Sequence, residues 1–382
     1  MIKNIFFILI FLTIGSKLLG NPNLNARTGI LIDYHSDKIL YELDPDSQIY
    51  PASMTKIMTS IVAFDLLKKN RLSLDDKFTI SENAWRLSQA GYSSMFIMIN
   101  DQVSVENLLK GIIIASGNDA CVALAEGIAG SESNFADMMN EKAEEIGMNS
   151  TNFTNSSGIN DPDNVSTVRD IALMSKYLIK NYPTYYELFA EKTFTWDRTG
   201  GEPIKQGNRN PLLYKNVGVD GVKTGYLAVE KYSLASAMKK KDRRLIAVAS
   251  GFTTKNLRSS ESLKLLNWGF RNTNTFEISK KEQSIFELDT WLGTKNKIKA
   301  ITKENYHLTL NKKDISHLTV SLEYEGPILA PVAKGTQIAS IVVYNKNKKI
   351  KTLPLYAAED LRKVNFFKSL LTSLNYLIWG DV

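Results

Sequence analysis

The sequence predicts an α+β protein in two parts, on three observations. Alternating apolar runs lie near residues 26–43 and again at 232–250, and apolar runs with helical period fill the stretch between them. Past Thr273 the pattern changes to many short alternating runs separated by turn residues. Strands from both ends of a chain segment, with helices inserted between, give an antiparallel sheet beside a helical layer. The later stretch gives a small all-β sandwich. At 382 residues the chain is long enough for both cores.

Residues 1–20 open with Lys3 and continue through an apolar run at 5–14 broken only by Thr13. Small and weakly polar residues follow. This is the pattern of a signal peptide, with cleavage after about Gly20. An uncleaved anchor is the other reading, and the run is short for a membrane span.

Residues 26–39 contain the turn Ser36-Asp37-Lys38 and predict a hairpin leading into Tyr41-Glu42-Leu43. A helix is expected from Pro51 through Ile57, Met58, Ile61 and Leu66. Further helices are expected at 107–114, 119–128, 135–146 (closed by Gly147) and 169–178. Residues 232–238 and 244–250 form a second hairpin across Lys239-Lys240-Lys241-Asp242, and 259–268 a final helix. The second part spans 274–356. Residues 357–382 end the chain, and a helix is expected over 359–379, with Val364, Phe367, Leu371, Leu374 and Ile378 on one stripe, widened by Leu370 and Leu377. Basic residues and a terminal Trp379 on such a helix suit a membrane interface. Packing on the protein or a dimer contact is the alternative.

The formal net charge is +7, with no dense basic block seen beyond 239–241. Such a balance suits a surface facing an anionic membrane or polymer. Nucleic-acid binding is disfavoured, because no recognition motif is present. The single Cys121 has no intramolecular disulfide partner. Its apolar neighbours mark it as a buried small hydrophobe.

Three short segments carry the chemistry: Ser53-Met54-Thr55-Lys56, Ser116-Gly117-Asn118 and Lys223-Thr224-Gly225. A serine hydroxyl needs a base to become a nucleophile. On a helix Ser53 and Lys56 share a face, so Lys56 can reach the Ser53 oxygen. To act as a base Lys56 must be neutral, which burial and a nearby cation, Lys223, would favour. The N–H of Ser53 at a helix start is free to bind an oxyanion. Ser236-Ala237-Met238-Lys239 has the same spacing, but on a strand residues three apart point to opposite faces. Ser116 can relay a proton, and Asn118 can hydrogen-bond a peptide amide, although Ser-Gly-Asn is also plain turn chemistry. Lys223 and Thr224 suit a carboxylate, and Gly225 lets a substrate backbone approach a strand edge; a surface strand end would read the same. His35, His307 and His317 all lie far from these segments, so neither a Ser-His-Asp triad nor a metal site is expected, and no cofactor is implied.

With these segments in this order, the chain resembles the low-molecular-mass penicillin-binding proteins that act as D-alanyl-D-alanine carboxypeptidases. The resemblance extends to Asn208-Arg209-Asn210, to Val219-Asp220-Gly221-Val222 before Lys223, and to Asn267-Trp268-Gly269-Phe270. It implies a penicillin-binding/β-lactamase-like transpeptidase domain, then the β-rich domain, then an amphipathic anchor at the periplasmic face of the inner membrane. It implies that Ser53 attacks the carbonyl between two terminal D-alanines, with Lys56 as base and Ser116 and Lys223 passing the proton on. Lys223, Thr224 and Arg258 would hold the substrate carboxylate, and the N–H groups of Ser53 and Tyr226 would form the oxyanion hole. β-Lactams would acylate Ser53. Where close relatives carry His-Thr after Lys-Thr-Gly, this chain has Tyr226-Leu227. A D,D-endopeptidase and a non-catalytic β-lactam sensor share the motifs. A class A β-lactamase is disfavoured, because no Glu-x-x-Leu-Asn segment occurs.

Overall fold

The computed structural model describes residues 5–7 and 20–380. The expected signal peptide lies outside the described residues except for Ile5–Phe7, a short strand paired with Leu318–Glu323, and Gly20. The chain divides into one unit over residues 19–271 and another formed by residues 1–18 and 272–382.

The first unit is built on a five-stranded antiparallel sheet. Its strands are β1 (Thr28–Asp33), β2 (Ile39–Leu43), β3 (Val219–Leu227), β4 (Lys231–Lys240) and β5 (Arg243–Phe252), in the order β2-β1-β5-β4-β3. The two ends of the segment therefore meet in one sheet, with β3 at its edge. The β4–β5 turn is tighter than the sequence suggested. Arg243 pairs with Lys240, leaving only Lys241 and Asp242 outside the ladder.

Between β2 and β3 run α1 (Lys56–Lys68), α2 (Asn118–Ala129), α3 (Glu132–Ile146) and α4 (Val168–Asn181). Ser131 and Thr167 cap α3 and α4 by accepting from Asn134 N and Asp170 N, and Gly147 closes α3 in the left-handed region. The apolar stripes of these helices meet in a core containing Ile57, Ile61, Phe64, Leu124, Phe135 and Met174. α1 is buried almost all round, as befits a helix at the centre of its layer. The expected helix at 259–268 is longer, α5 (Lys255–Asn272), so Arg258 lies in its first turn rather than before it.

In the second unit, seven strands form one ladder and Thr273–Ser279 pairs with Tyr306–Asn311 as a separate ribbon. Ile278, Tyr306 and Leu308 of the ribbon pack on the ladder's core of Leu288, Ile298, Leu322, Ile341, Val343 and Leu355, so the part of this unit before the tail is two-layered and β-rich.

The tail departs from expectation. Its helix, α6, runs only from Phe366 to Trp379. Leu361 is buried in the β core, its N–H donates to Val332, and Val364 N–H donates to Leu292. These strand-like bonds hold residues 359–364 out of the helix, so Arg362 and Val364 fall outside it. Asn365 then caps α6 by accepting from Lys368 N.

Candidate active site

The Ser53 segment forms a 3₁₀ turn, Ala52–Thr55, which passes into α1 at Lys56. Three residues per turn place side chains three apart directly in line, so the local geometry aligns Ser53 and Lys56 better than an α-helix would. Ala52 has φ 50°, a strained conformation for a residue with a side chain. Lys56 Nζ lies 3.2 Å from Ser53 Oγ, and it donates to Asn118 Oδ1 at 2.6 Å and to the Ser157 carbonyl at 2.5 Å. Lys56 is only 1% exposed, and that burial pushes its pKa down, against the opposing pull of Cys121, Asp119 and Glu132. Lys223 is itself held well below the usual lysine range, by burial first and then by repulsion from Lys56, and that repulsion acts on both lysines alike.

The second wall comes from the residues before α2. A π turn, Gly111–Ala115, ends at Ser116, whose φ of 64° turns the chain sharply. Ser116 and Asn118 are thereby presented into the site. Asp119 fixes the opposite side of this bend. Fully buried, it accepts from Ser94 Oγ and from the N–H groups of Met95, Phe96 and Ile97.

The third wall is β3. Lys223 Nζ donates to Ser116 Oγ at 2.9 Å. Thr224 and Gly225 follow it, buried, and Tyr226 is 52% exposed. A side chain at Gly225 would stand 2.3 Å from Ser233 Oγ and 3.0 Å from the Pro51 carbonyl, so this strand abuts the turn carrying Ser53. Tyr226 pairs with Tyr232, their ring centroids 4.6 Å apart, and the Arg258 guanidinium lies 5.6 Å over the Tyr232 ring. Arg258 is largely buried and its Nε has no hydrogen-bond partner among the described residues.

Two pairs of expected residues thus converge, Ser53 with Lys56 and Ser116 with Lys223, joined by Asn118 and by the charge of Lys56 acting on Lys223. Arg258 joins through its charge on Lys223 and its contact with Tyr232. Four groups escaped the sequence reading. Arg209 adds its charge beside Lys223 and reaches toward the Ala115 carbonyl. Ser157 supplies its carbonyl to Lys56. Glu132 accepts from Ser156 N and Oγ and so fixes the segment presenting that carbonyl. Glu230, in the turn after β3, accepts from Arg27, Tyr50 N and Ser250 Oγ. Only Arg209 sat in a segment already singled out. Cys121 is fully buried, donates to the Gly117 carbonyl, and burial pushes its thiol up to about 12. No cluster of His, Cys, Asp and Glu suited to a metal occurs among the described residues.

This arrangement matches known sequences and structures along most of its length. The D-alanyl-D-alanine carboxypeptidase profile covers residues 16–254, and the penicillin-binding protein 5 C-terminal domain covers 274–363. D-alanyl-D-alanine carboxypeptidase DacA of Haemophilus influenzae is 39% identical over 91% of this chain and 88% of that one. DacC of Escherichia coli is 39% identical over 91% and 86%. The crystal structure of penicillin binding protein 5 from Haemophilus influenzae superposes with a TM-score of 0.82, at 38% identity, over 90% of this chain and all of that one.

Proposed function

Because the chain belongs to the D-alanyl-D-alanine carboxypeptidase family, we propose that it removes the terminal D-alanine from peptidoglycan stem peptides through an acyl-enzyme on Ser53. The observation that carries this reading is the environment of Lys56. A neutral lysine amine has two N–H donors and one lone pair. In that form, with Asn118 Oδ1 and the Ser157 carbonyl taking the two N–H groups, the lone pair faces Ser53 Oγ, 3.2 Å away. Burial favours that neutral form.

Ser53 Oγ gives its proton to Lys56 and bonds to the carbonyl carbon between the two D-alanines. The N–H groups of Ser53 and Tyr226 hold the resulting oxyanion. As the C–N bond breaks, the proton returns to the leaving nitrogen by way of Ser116 and Lys223, which are already hydrogen-bonded to each other. Thr224, Lys223 and Arg258 hold the carboxylate of the departing residue, the unpaired Nε of Arg258 being suited to an anion. Asn118 also orients the substrate amide. Water then adds across the ester, restores the Ser53 hydroxyl and frees a peptide one residue shorter. Penicillin, which presents a strained amide beside a carboxylate, acylates Ser53 by the same route.

The same reading places the enzyme outside the inner membrane, exported by residues 1–20 and held peripherally by α6. That helix exposes Phe367, Leu370, Leu371, Leu374, Leu377 and Ile378. Its 14 residues span about 21 Å, short of the roughly 30 Å of a bilayer core, and no described helix is long and apolar enough to cross a membrane. It fits a helix lying in the interface.

The test is the intact mass of the protein after brief exposure to penicillin, beside Ser53→Ala, followed by D-alanine release from a pentapeptide ending in D-Ala-D-Ala. A stable adduct on wild type alone, with D-alanine released, is the expected result. An adduct without release would instead fit an endopeptidase or a sensor, and no adduct would sink the mechanism.

A further inference from the structure

The hairpin of Gln337–Asn345 and Lys348–Ala357 ends in a lysine cluster. Asn345 faces Lys348, Tyr344 faces Lys349 and Val343 faces Lys351, so Lys346 and Asn347 make the turn. Both turn residues have positive φ, 48° and 64°, a geometry in which Asn and Gly are the usual occupants and lysine is not. A short 3₁₀ helix, Lys312–His317, lies beside this turn. The Lys346 N–H donates to the His317 carbonyl, and Leu318 pairs with Asn345. Lys312, Lys313, Lys346, Lys348, Lys349 and Lys351 therefore gather at one end of the β unit.

Three other lysines of this unit lie beside acids, Lys280 with Glu277, Lys281 with Glu282 and Lys295 with Glu359, while Lys297, Lys299, Lys334 and Lys363 have no acid partner among the described residues but are scattered through the chain. Among the described residues the six gathered lysines have no ion-pair partner; Asp314, which accepts from the Asn311 side chain, offsets one of their six charges. Unmatched like charges repel, and a bound polyanion removes that repulsion.

Two polyanions face an enzyme in this compartment, membrane lipid and wall polymer. The place of α6 decides between them. The chain leaves the ladder at the other end of the hairpin. Leu361 bonds to Val332 and Val364 to Leu292, and within the same unit the Tyr376 ring of α6 lies 5.1 Å from Trp291. The ten residues of Lys348–Ala357 separate the two ends by about 30 Å, several times the roughly 8 Å over which a charged surface acts at physiological salt. With α6 in the interface and the hairpin rising away from it, the lysines stand beyond the reach of lipid charge.

We propose that this lysine-rich end binds the carboxylates of peptidoglycan and holds the enzyme on the polymer that carries its substrate. The inference rests on the carboxypeptidase reading and on α6 as the membrane contact, and the test separates all three. Full-length protein carrying Ser53→Ala is sedimented with purified sacculi across a salt series. Its partner carries in addition Lys346→Gln, Lys348→Gln, Lys349→Gln and Lys351→Gln. The first is expected to be retained in a salt-sensitive way, and the second about tenfold less at about 0.1 M salt. Replacing the same four residues by arginine is expected to preserve retention. So is removing equal charge at Lys77, Lys215, Lys241 and Lys255, four exposed lysines of the first unit. With Ser53 intact, the four-glutamine variant is expected to keep D-alanine release from a soluble pentapeptide and binding to phosphatidylglycerol vesicles. Undiminished retention of that variant, or no retention of either protein, overturns the proposal. Loss of vesicle binding with retention on sacculi overturns it too, in favour of a lipid contact. Failure of wild type to release D-alanine bears on the carboxypeptidase reading alone.

Discussion

Lys56 and Lys223 share one buried site, and their protonation governs what the site can do. Lys56 takes a proton from Ser53 only when neutral, so the penicillin acylation rate is expected to rise with pH through its depressed pKa. Lys56→Arg fixes a positive charge that cannot be lost, and should slow acylation about 1,000-fold. Stability carries a second signature. Lys223, held well below 10.5 when folded, binds fewer protons folded than unfolded in the window between its depressed value and 10.5. Unfolding then takes up protons, so this group's contribution to stability rises with pH across that window and is lost as pH falls through the folded value. Denaturant titrations of wild type and Lys223→Met at several pH values should show a steeper rise for wild type; parallel curves would contradict a neutral buried Lys223. Glu230 makes a separate prediction. It binds Arg27, the N–H three residues before Ser53 and the hydroxyl of Ser250, from the turn that follows Tyr226. It thereby ties together the two segments whose N–H groups are proposed to hold the oxyanion. Glu230→Ala leaves a buried N–H and hydroxyl unpaired and should cost about 2 kcal/mol along with a slower acylation step. The nucleophile and base were legible because they lie three residues apart. Glu230 was not, because its partner Arg27 is 203 positions away and nothing in the local pattern of either residue points to the other.

At the scale of elements, helix and strand identity followed from apolar period, while ends and bends followed from contacts the pattern does not contain. The expected helix at Pro51 begins as a 3₁₀ turn because the chain must swing through Ala52 in a left-handed conformation. Gly158 shows what holds that bend. A side chain there would stand 1.8 Å from the Ala52 carbonyl oxygen, and its φ of 78° already favours glycine. Gly158→Ala should therefore push Ser157 away from Lys56 and Ala52 from its turn. We expect a loss of about 2 kcal/mol or more and a fall in acylation rate beyond what the stability change accounts for, read by penicillin labelling below the unfolding transition. The tail was misjudged for a related reason. Its apolar stripe extends back to Val364, but Leu361 has a place in the β core and draws residues 359–364 into strand-like bonding. Truncation after Asn365 should then release the protein from membranes with D-alanine release intact. Truncation after Ala358 removes Leu361 from the core, and should cost about 2–4 kcal/mol in the β unit as well. Equal stability of the two truncations would show that residues 359–364 are not part of that core.

The described residues form separate cores: two in the first unit, around α1 and between β5 and α5, and one in the second, around Leu322 and Leu355. Every residue of the candidate site belongs to the first unit, and the lysine cluster and α6 belong to the second. Division of labour of this kind predicts how the protein unfolds. A covalent adduct on Ser53 stabilises only the unit that must be folded for the penicilloyl group to keep its contacts. Calorimetry of the full chain should show two transitions, and acylation by penicillin should raise the midpoint of one and leave the other in place. Lysine-to-glutamine changes at the hairpin end should leave the acyl-sensitive transition unmoved. A single transition that shifts as a whole on acylation would mean that the two units unfold as one cooperative block. Mutations in the β unit would then reach Ser53 through stability, and the proposed separation of wall binding from catalysis would have to be tested by sedimentation and kinetics at temperatures well below that shared transition.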